Sequence, residues 1–369
     1  MQNRLLSLDV FRGITVAAMI LVNNPGDWDH VYAPLLHAHW NGCTPTDLIF
    51  PFFLFIVGVS ISFALGSAKT QPHNAVILKV VKRGAILFGL GLFLSLYPKF
   101  DFAHVRIMGV LQRIGLVFIF SSIIFLKTNF KTQVYIVAAL LLVYYLLMNF
   151  VPVPDVGYAN LQPETNLGAW LDRTILTTDH LWKSAKVWDP EGLLGTIPAT
   201  ATGLLGVLIG QWLRNSRPVA ERLAWLFFIG NVLIVSGLIA DMVFPINKSL
   251  WSSSYVLYAG GWAMVGMAAC YWLIDVQGYN RWTKPFVVFG VNAITVFFLS
   301  GIIPRTLNLF KVTQLDGIEI SSQKWLFQSG ITPFFTDSYM ASLAGSLVFL
   351  AIWTVILWIM FNKKIIIKI

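Results

Sequence analysis

Between positions 23 and 47 the chain gathers Asn23, Asn24, His37, His39, Asn41 and Asp47. An imidazole takes a proton from an amine or hydroxyl near neutral pH, or attacks an acyl carbon itself. A carboxylate such as Asp47 can orient that ring, and the amide of Asn23 or Asn41 can donate to a developing oxyanion. His37 and His39 could also begin a metal site, but no third ligand follows at a suitable spacing, so no metal is expected. The chemistry these residue types allow is transfer of an acyl group to a nucleophile.

Other ionisable residues fall inside apolar runs, where each costs at least roughly 2.5–3.5 kcal/mol and is a functional candidate by default. Asp9 and Arg12 are three apart and share a helix face. They form either a neutralised pair at the end of the first helix or a mouth where Arg12 meets an anionic cofactor. Arg113 is expected about 10 Å inside its helix, with Gln112 beside it. It can serve as a structural tie, for example to Asp47, or as a pocket residue. Further on, Trp170, Trp182 and Trp188 stand near Asp172, Asp179, Asp189 and Glu191. Aromatic faces beside carboxylates suit a sugar, and they equally suit an interfacial aromatic belt.

The elements that must position these groups follow from composition. Of 369 residues, 57% are hydrophobic and 12% are charged, against about 25% charged in soluble domains. Such a chain needs a bilayer as solvent. A span takes roughly 20 apolar residues, and the runs 8–23, 47–66, 76–97, 107–126, 133–150, 192–213, 222–243, 254–274, 285–303 and 339–361 qualify. The expected fold is an all-α polytopic bundle of about ten transmembrane helices, forming one domain over 1–369. Pro285 opens the ninth span and Pro304 closes it. No internal repeat supports an inverted-repeat transporter.

With the N-terminus inside, the inner links hold fifteen of the 26 Lys and Arg residues, among them Arg4, Lys79, Lys82, Arg83, Arg214, Arg222, Lys364 and Lys368. The first outer loop holds none, so the bias favours both termini inside. Charges scattered through short links are topology signals, and nucleic-acid binding is excluded on that ground. The outer segments 24–46, 151–191 and 304–338 are long for purely structural connections. Cys43 and Cys270 fall near opposite faces, so no disulfide is expected. The first apolar run carries no small-x-small cleavage site and is expected to be a retained helix.

Several stretches resemble the heparan-α-glucosaminide N-acetyltransferase family: Ser7-Leu8-Asp9-Val10-Phe11-Arg12-Gly13, His37-Ala38-His39-Trp40-Asn41-Gly42, Asp47-Leu48-Ile49-Phe50-Pro51, Gly109-Val110-Leu111-Gln112-Arg113-Ile114, Asp189-Pro190-Glu191-Gly192-Leu193-Leu194-Gly195-Thr196, Asn247-Lys248-Ser249-Leu250-Trp251-Ser252 and Phe289-Gly290-Val291-Asn292-Ala293-Ile294. They run in order through nearly the whole chain. The resemblance implies acetyl-CoA as donor from the cytoplasmic side and a glucosamine-type amine, as in heparan sulfate or another glycosaminoglycan fragment, as acceptor on the other. It implies His37 as catalytic histidine with Asn23 and Asp47 near the acetyl group. It makes Arg12, Gln112, Arg113 and Asn41 cofactor-pocket residues, and Trp40, Asp189 and Glu191 substrate-side residues. A homodimer is implied by resemblance alone. The chain begins almost at the first catalytic-domain helix, without the amino-terminal luminal domain of the animal enzyme, so a bacterial inner-membrane member is expected.

Two other classes compete. A transporter of a sugar or anion would be lined by Asp9, Asp47 and Arg113 and would move substrate without consuming acetyl-CoA. A related O-acyltransferase acting on an envelope or lipid-linked polysaccharide would use the same histidine with a hydroxyl acceptor. A non-catalytic scaffold does not explain so many polar residues at membrane depth.

Overall fold

A bilayer core supplies no hydrogen bonds, so a chain this apolar has to close its backbone bonds within each segment. The computed structural model, which describes residues 5–70, 73–314 and 317–367, does so with helices. They are α1 (Leu6–Asn23), α2 (Pro45–Leu65), α3 (Asn74–Leu96), α4 (Val110–Lys127), α5 (Phe130–Phe150), α6 (Leu167–Leu176), α7 (Thr196–Leu213), α8 (Val219–Asp241), α9 (Ser253–Cys270), α10 (Lys284–Val291), α11 (Ala293–Leu307), α12 (Ser322–Gly330) and α13 (Ser338–Asn362). A short hairpin, β1 (Lys311–Thr313) against β2 (Glu319–Ser321), is the only sheet among the described residues. Arg4 and Lys368, which contribute to the charge bias, lie outside the described residues.

All ten expected runs are helical. Eight helices among the described residues are long and apolar enough to cross a membrane: α1, α2, α4, α5, α7, α8, α9 with its continuation to Val276, and α13. The chain is an all-α polytopic membrane protein. Two expected spans need refinement. Helix α3 has 23 residues, about 34 Å at 1.5 Å per residue, but Lys79, Lys82 and Arg83 crowd its first half. The ninth run is broken at Asn292 into α10 and α11, which meet at 80°. Pro304 does not close it, because α11 continues through that proline to Leu307. The outer segments also have structure of their own: 151–191 carries α6, and 304–338 carries the hairpin and α12.

The start of α2 shows how sequence sets geometry. Pro45 fills the first helical turn, where its missing N–H is no loss, and Asp47 reaches back to accept from the Thr44 N–H at 2.9 Å. Pro51 then removes the bond that the Asp47 carbonyl would normally receive. The buried Tyr255 hydroxyl donates to that carbonyl at 2.5 Å instead, so the proline creates an acceptor through which α9 grips α2.

Glycines let the backbones of α2 and α7 touch. A Cβ on Gly58 would lie 1.9 Å from the Gly203 carbonyl oxygen, and one on Gly206 would lie 2.0 Å from that of Phe55. Small residues at a crossing bring dispersion contacts and close approach, the main attraction between helices in lipid. We expect Gly58→Ala to lower the thermal midpoint in detergent, by the equivalent of about 3 kcal/mol, while Gly89→Ala, which meets nothing within 4 Å, leaves it unchanged or slightly raised. Equal midpoints for the two variants would refute the close crossing.

Candidate active site

His37 sits on the loop between α1 and α2, its side chain half exposed and its Nδ1 2.6 Å from Asp47 Oδ1. The carboxylate is buried and also accepts from the Ala38 N–H (3.1 Å), the Thr44 N–H (2.9 Å) and the Thr44 hydroxyl (3.1 Å). A carboxylate so surrounded by donors is an acceptor, so Nδ1 carries the proton and Nε2 presents a lone pair. The structure thus brings His37 and Asp47 together, as the sequence suggested. His39 lies exposed two residues away and shares none of these bonds.

The α8–α9 connection pins this loop. Asn247 donates through its side chain to Asn41 Oδ1 at 3.1 Å, and the Gly42 N–H donates to the Ile246 carbonyl at 2.7 Å. Gly42 adopts φ +103°, a conformation that favours glycine. Asn41 therefore ties the loop to its support. Trp40 donates to the Leu161 carbonyl at 3.0 Å and meets Trp188 edge-on, with ring centres 5.1 Å apart. Trp188 in turn meets Trp182 at 5.6 Å.

Two cavities lie end to end among α1, α3, α4 and α11. The one at the His37 end has a volume of about 600 Å³ and is walled by Asn23, Gly91, Gln112, Arg106, Trp182 and Arg305, among others. The other, about 620 Å³, is walled by Arg12, Ser60, Arg83, Gly290 and a largely apolar remainder. Their walls interleave. Gly91 and Leu87 are one turn apart on α3, Leu111 and Ile114 on α4, and Phe297 and Ile294 on α11. About one turn of helix, 5.4 Å, separates them. His37 is a wall residue of neither. It stands on the loop that continues from Asn23 at the cavity's rim.

Gln112 is buried in the first cavity's wall, and its Nε2 has no partner among the described residues. Gly91 makes room for it, since a Cβ there would fall 2.1 Å from its Oε1. Arg12 donates to Asp9 at 3.2 Å and to the Ser60 hydroxyl at 2.8 Å while lining the second cavity. Arg12 is thus a paired charge, as one expectation had it, and it also walls a cavity.

Arg113 differs from its expectation. Helix α4 begins at Val110, so Arg113 stands in its first turn rather than about 10 Å inside. It is fully buried, but it makes no tie to Asp47. Its guanidinium donates to the Pro190 and Gly192 carbonyls at 3.0 and 2.8 Å and lies over the Trp251 ring at 5.1 Å. Asp189 and Glu191 are buried as well and are given over to Arg106. That guanidinium donates to both Asp189 oxygens, at 2.8 and 2.5 Å, and to Glu191 at 2.5 Å. Arg106, which did not stand out in the sequence, is therefore the group of this cluster that lines the cavity. Its signal was sequence-distant: the partner carboxylates lie more than 80 residues away. Burial opposes the charge on Arg106, but the bond to Asp189 and the fields of Glu191 and Asp189 outweigh it and hold its pKa above the ordinary range.

Asp172, on α6, accepts from the Leu193 N–H at 2.8 Å and is nearly inaccessible. Burial pushes its carboxyl up to about 7, against the lowering effect of that bond and with a further push from Asp189.

Against known proteins, the family described as "Heparan-alpha-glucosaminide N-acetyltransferase, catalytic" matches residues 4–238. Curated relatives named heparan-alpha-glucosaminide N-acetyltransferase are 28% identical to this chain: the Mus musculus protein over 100% of the chain and 61% of its own length, and the Homo sapiens protein over 99% and 60%. The chain thus spans about 60% of the length of these relatives.

A carboxyl whose pKa is raised on folding contributes most below its unfolded pKa, and that contribution is lost as pH rises through the folded value. For Asp172 the window runs from about 4 to about 7. Asp172→Asn keeps an acceptor for Leu193 without the ionisation, so its thermal midpoint should gain on the wild type between pH 5 and pH 8. A constant difference across that range would show that Asp172 does not titrate there.

Proposed function

Because the chain belongs to the heparan-alpha-glucosaminide N-acetyltransferase catalytic family, we propose that it is an acetyltransferase in which His37 activates the amine of a glucosamine-type sugar. The observation that carries this reading is the His37–Asp47 pair, on the loop that follows Asn23, a wall residue of the first of the two cavities.

Acetyl-CoA is the donor in this reading, and its thioester supplies an activated acyl carbon. The Arg12 cavity suits it. Arg12 and Arg83 offer guanidinium groups for phosphates, and the apolar walls contributed by Phe53, Ile114 and Phe118 suit an uncharged chain. This end of the molecule also carries the basic links at Lys79, Lys82, Arg214 and Arg222, which favour a cytoplasmic orientation. From Arg12 to Asn23 is eleven residues of α1, about 16 Å, and that is the distance over which acyl and acceptor ends must be joined.

At the other end His37 uses Nε2 to take the proton from the neutral sugar amine as it attacks. The nitrogen attacks the acyl carbon, a C–N bond forms as the C–S bond breaks, and the proton leaves through His37 to the thiolate. If His37 itself attacks first, its Nε2–C bond forms as the C–S bond breaks, and the amine's C–N bond then forms as that Nε2–C bond breaks, returning the imidazole. In this reading Asn23, in the cavity wall, donates to the carbonyl oxygen as it gains charge. Arg106, held rigidly by Asp189 and Glu191, and Trp182 offer the acceptor a cation and an aromatic face.

The test uses purified protein, labelled acetyl-CoA and glucosamine. Wild type should transfer label, and His37→Ala should lose about 10²–10⁴-fold in kcat. Arg12→Gln should raise KM for acetyl-CoA about tenfold, the loss of one charge-assisted contact, with kcat nearly unchanged. No transfer by wild type to any amino or hydroxy sugar would sink the enzyme reading. Transfer of label to supplied N-acetylglucosamine, whose amine is already blocked, but not to glucosamine would assign O-acylation instead.

A further inference from the structure

A third cavity, about 740 Å³, opens beside the ends of α2, α7 and α8 and the turn that follows α9, on the other side of α1 and α2 from the Arg12 cavity. Its polar wall is Arg214, which caps α7, and Arg222, in the first turn of α8. Its apolar wall includes Phe63, Val219 and Val276.

Each arginine is clamped by one bond and one ring. Arg214 Nη1 donates to the Ser62 carbonyl at 2.5 Å, and its guanidinium lies 5.9 Å from the centre of the Phe63 ring. Arg222 Nη1 donates to the Leu213 carbonyl, and its guanidinium lies 6.0 Å from the centre of the Tyr271 ring. Binding helix-end carbonyls is an ordinary task for arginines in such positions. It uses one of five N–H donors on each guanidinium. The remaining Nη donors are what each guanidinium can offer to the cavity that it lines.

Among the described residues, neither Arg214 nor Arg222 is in an ion pair. Arg217 is committed to Glu221. Asp275, the acid in this wall, accepts from the Leu6 and Ser7 N–H groups at 3.2 and 3.0 Å, so it serves the positive end of α1.

We propose that this cavity binds the phosphate of an anionic phospholipid, with Arg214 and Arg222 as its two guanidinium ligands and the Phe63, Val219 and Val276 wall against the acyl chain. Basic pockets between membrane helices take lipid head groups of this kind, and the fork of an arginine matches phosphate oxygens in pairs. The site is separate from the two cavities assigned to acetyl transfer, and the proposal stands whether or not that reading holds.

The experiment is native mass spectrometry of the full chain with short-chain phosphatidylglycerol or phosphatidylcholine, with inorganic phosphate and acetyl-CoA as competitors. Wild type should hold phosphatidylglycerol at least tenfold more tightly than phosphatidylcholine. Arg214→Gln and Arg222→Gln should each weaken phosphatidylglycerol about tenfold. Arg222→Lys, which keeps the charge but loses the fork, should fall between. The wild-type selectivity alone decides the matter if a variant fails to fold: equal retention of both lipids overturns the proposal. Displacement by millimolar phosphate overturns the lipid as ligand in favour of the free anion, and displacement by acetyl-CoA overturns it in favour of the acyl donor.

Discussion

The Asp47 carboxylate receives four donors: the His37 ring, the Ala38 and Thr44 N–H groups and the Thr44 hydroxyl. An ionised group this deeply buried survives only when its lone pairs are filled, so the loop carrying His37 is folded around the carboxylate. The same residue's carbonyl is held from the opposite side by Tyr255. One residue thereby fixes the first turn of α2, the path of the loop and the tautomer of the histidine. Asn247 adds a second anchor through Asn41. The imidazole is exposed, but its orientation is determined by buried groups.

The arginines divide into those that build and those that face a space. Arg113 spends its donors on the Pro190 and Gly192 carbonyls, and so holds the segment before α7 in place. That segment supplies Asp189 and Glu191 to Arg106. Burying two like-charged carboxylates side by side would be costly alone, and the bidentate guanidinium between them makes it stable. Arg106 is consequently held firmly at the cavity wall by two buried carboxylates. Arg12 combines both tasks, because its bonds to Asp9 and Ser60 leave it lining a cavity.

The spans were legible in the sequence because apolar length is a local property, and all ten runs are helical. The His37–Asp47 pair was legible too: ten residues of separation, with Pro45 marking the helix start between them, bring the two groups together. What escaped was non-local. The roles of Asp189 and Glu191 depend on Arg106, across a gap no periodicity reveals, and Arg113 chose backbone carbonyls over the carboxylate that charge matching suggested. Carbonyl acceptors leave no trace in composition. The break at Asn292 was hidden for another reason: the apolar run continues through it, and the asparagine's role is to hold the carbonyl of Ile365 and the N–H of Ile367.

The cavities follow from where the glycines are. Gly58, Gly206 and Gly210 bring α2 and α7 into backbone contact, and Gly84 and Gly115 do the same for α3 and α4. Helices pressed together in such pairs act as rigid double walls. Residues of α1 and of the bent α10–α11 unit line the two cavities together with α3 and α4. Gly13 and Gly290 still let α1 and α10 touch, since a Cβ on either would strike the other helix's backbone. The 80° bend at Asn292 then turns α11 away from the α10 axis, beside residues that wall the second cavity. Tight crossings therefore supply the stability that the polar interior forgoes, and the open path exists because small residues concentrate the contact elsewhere.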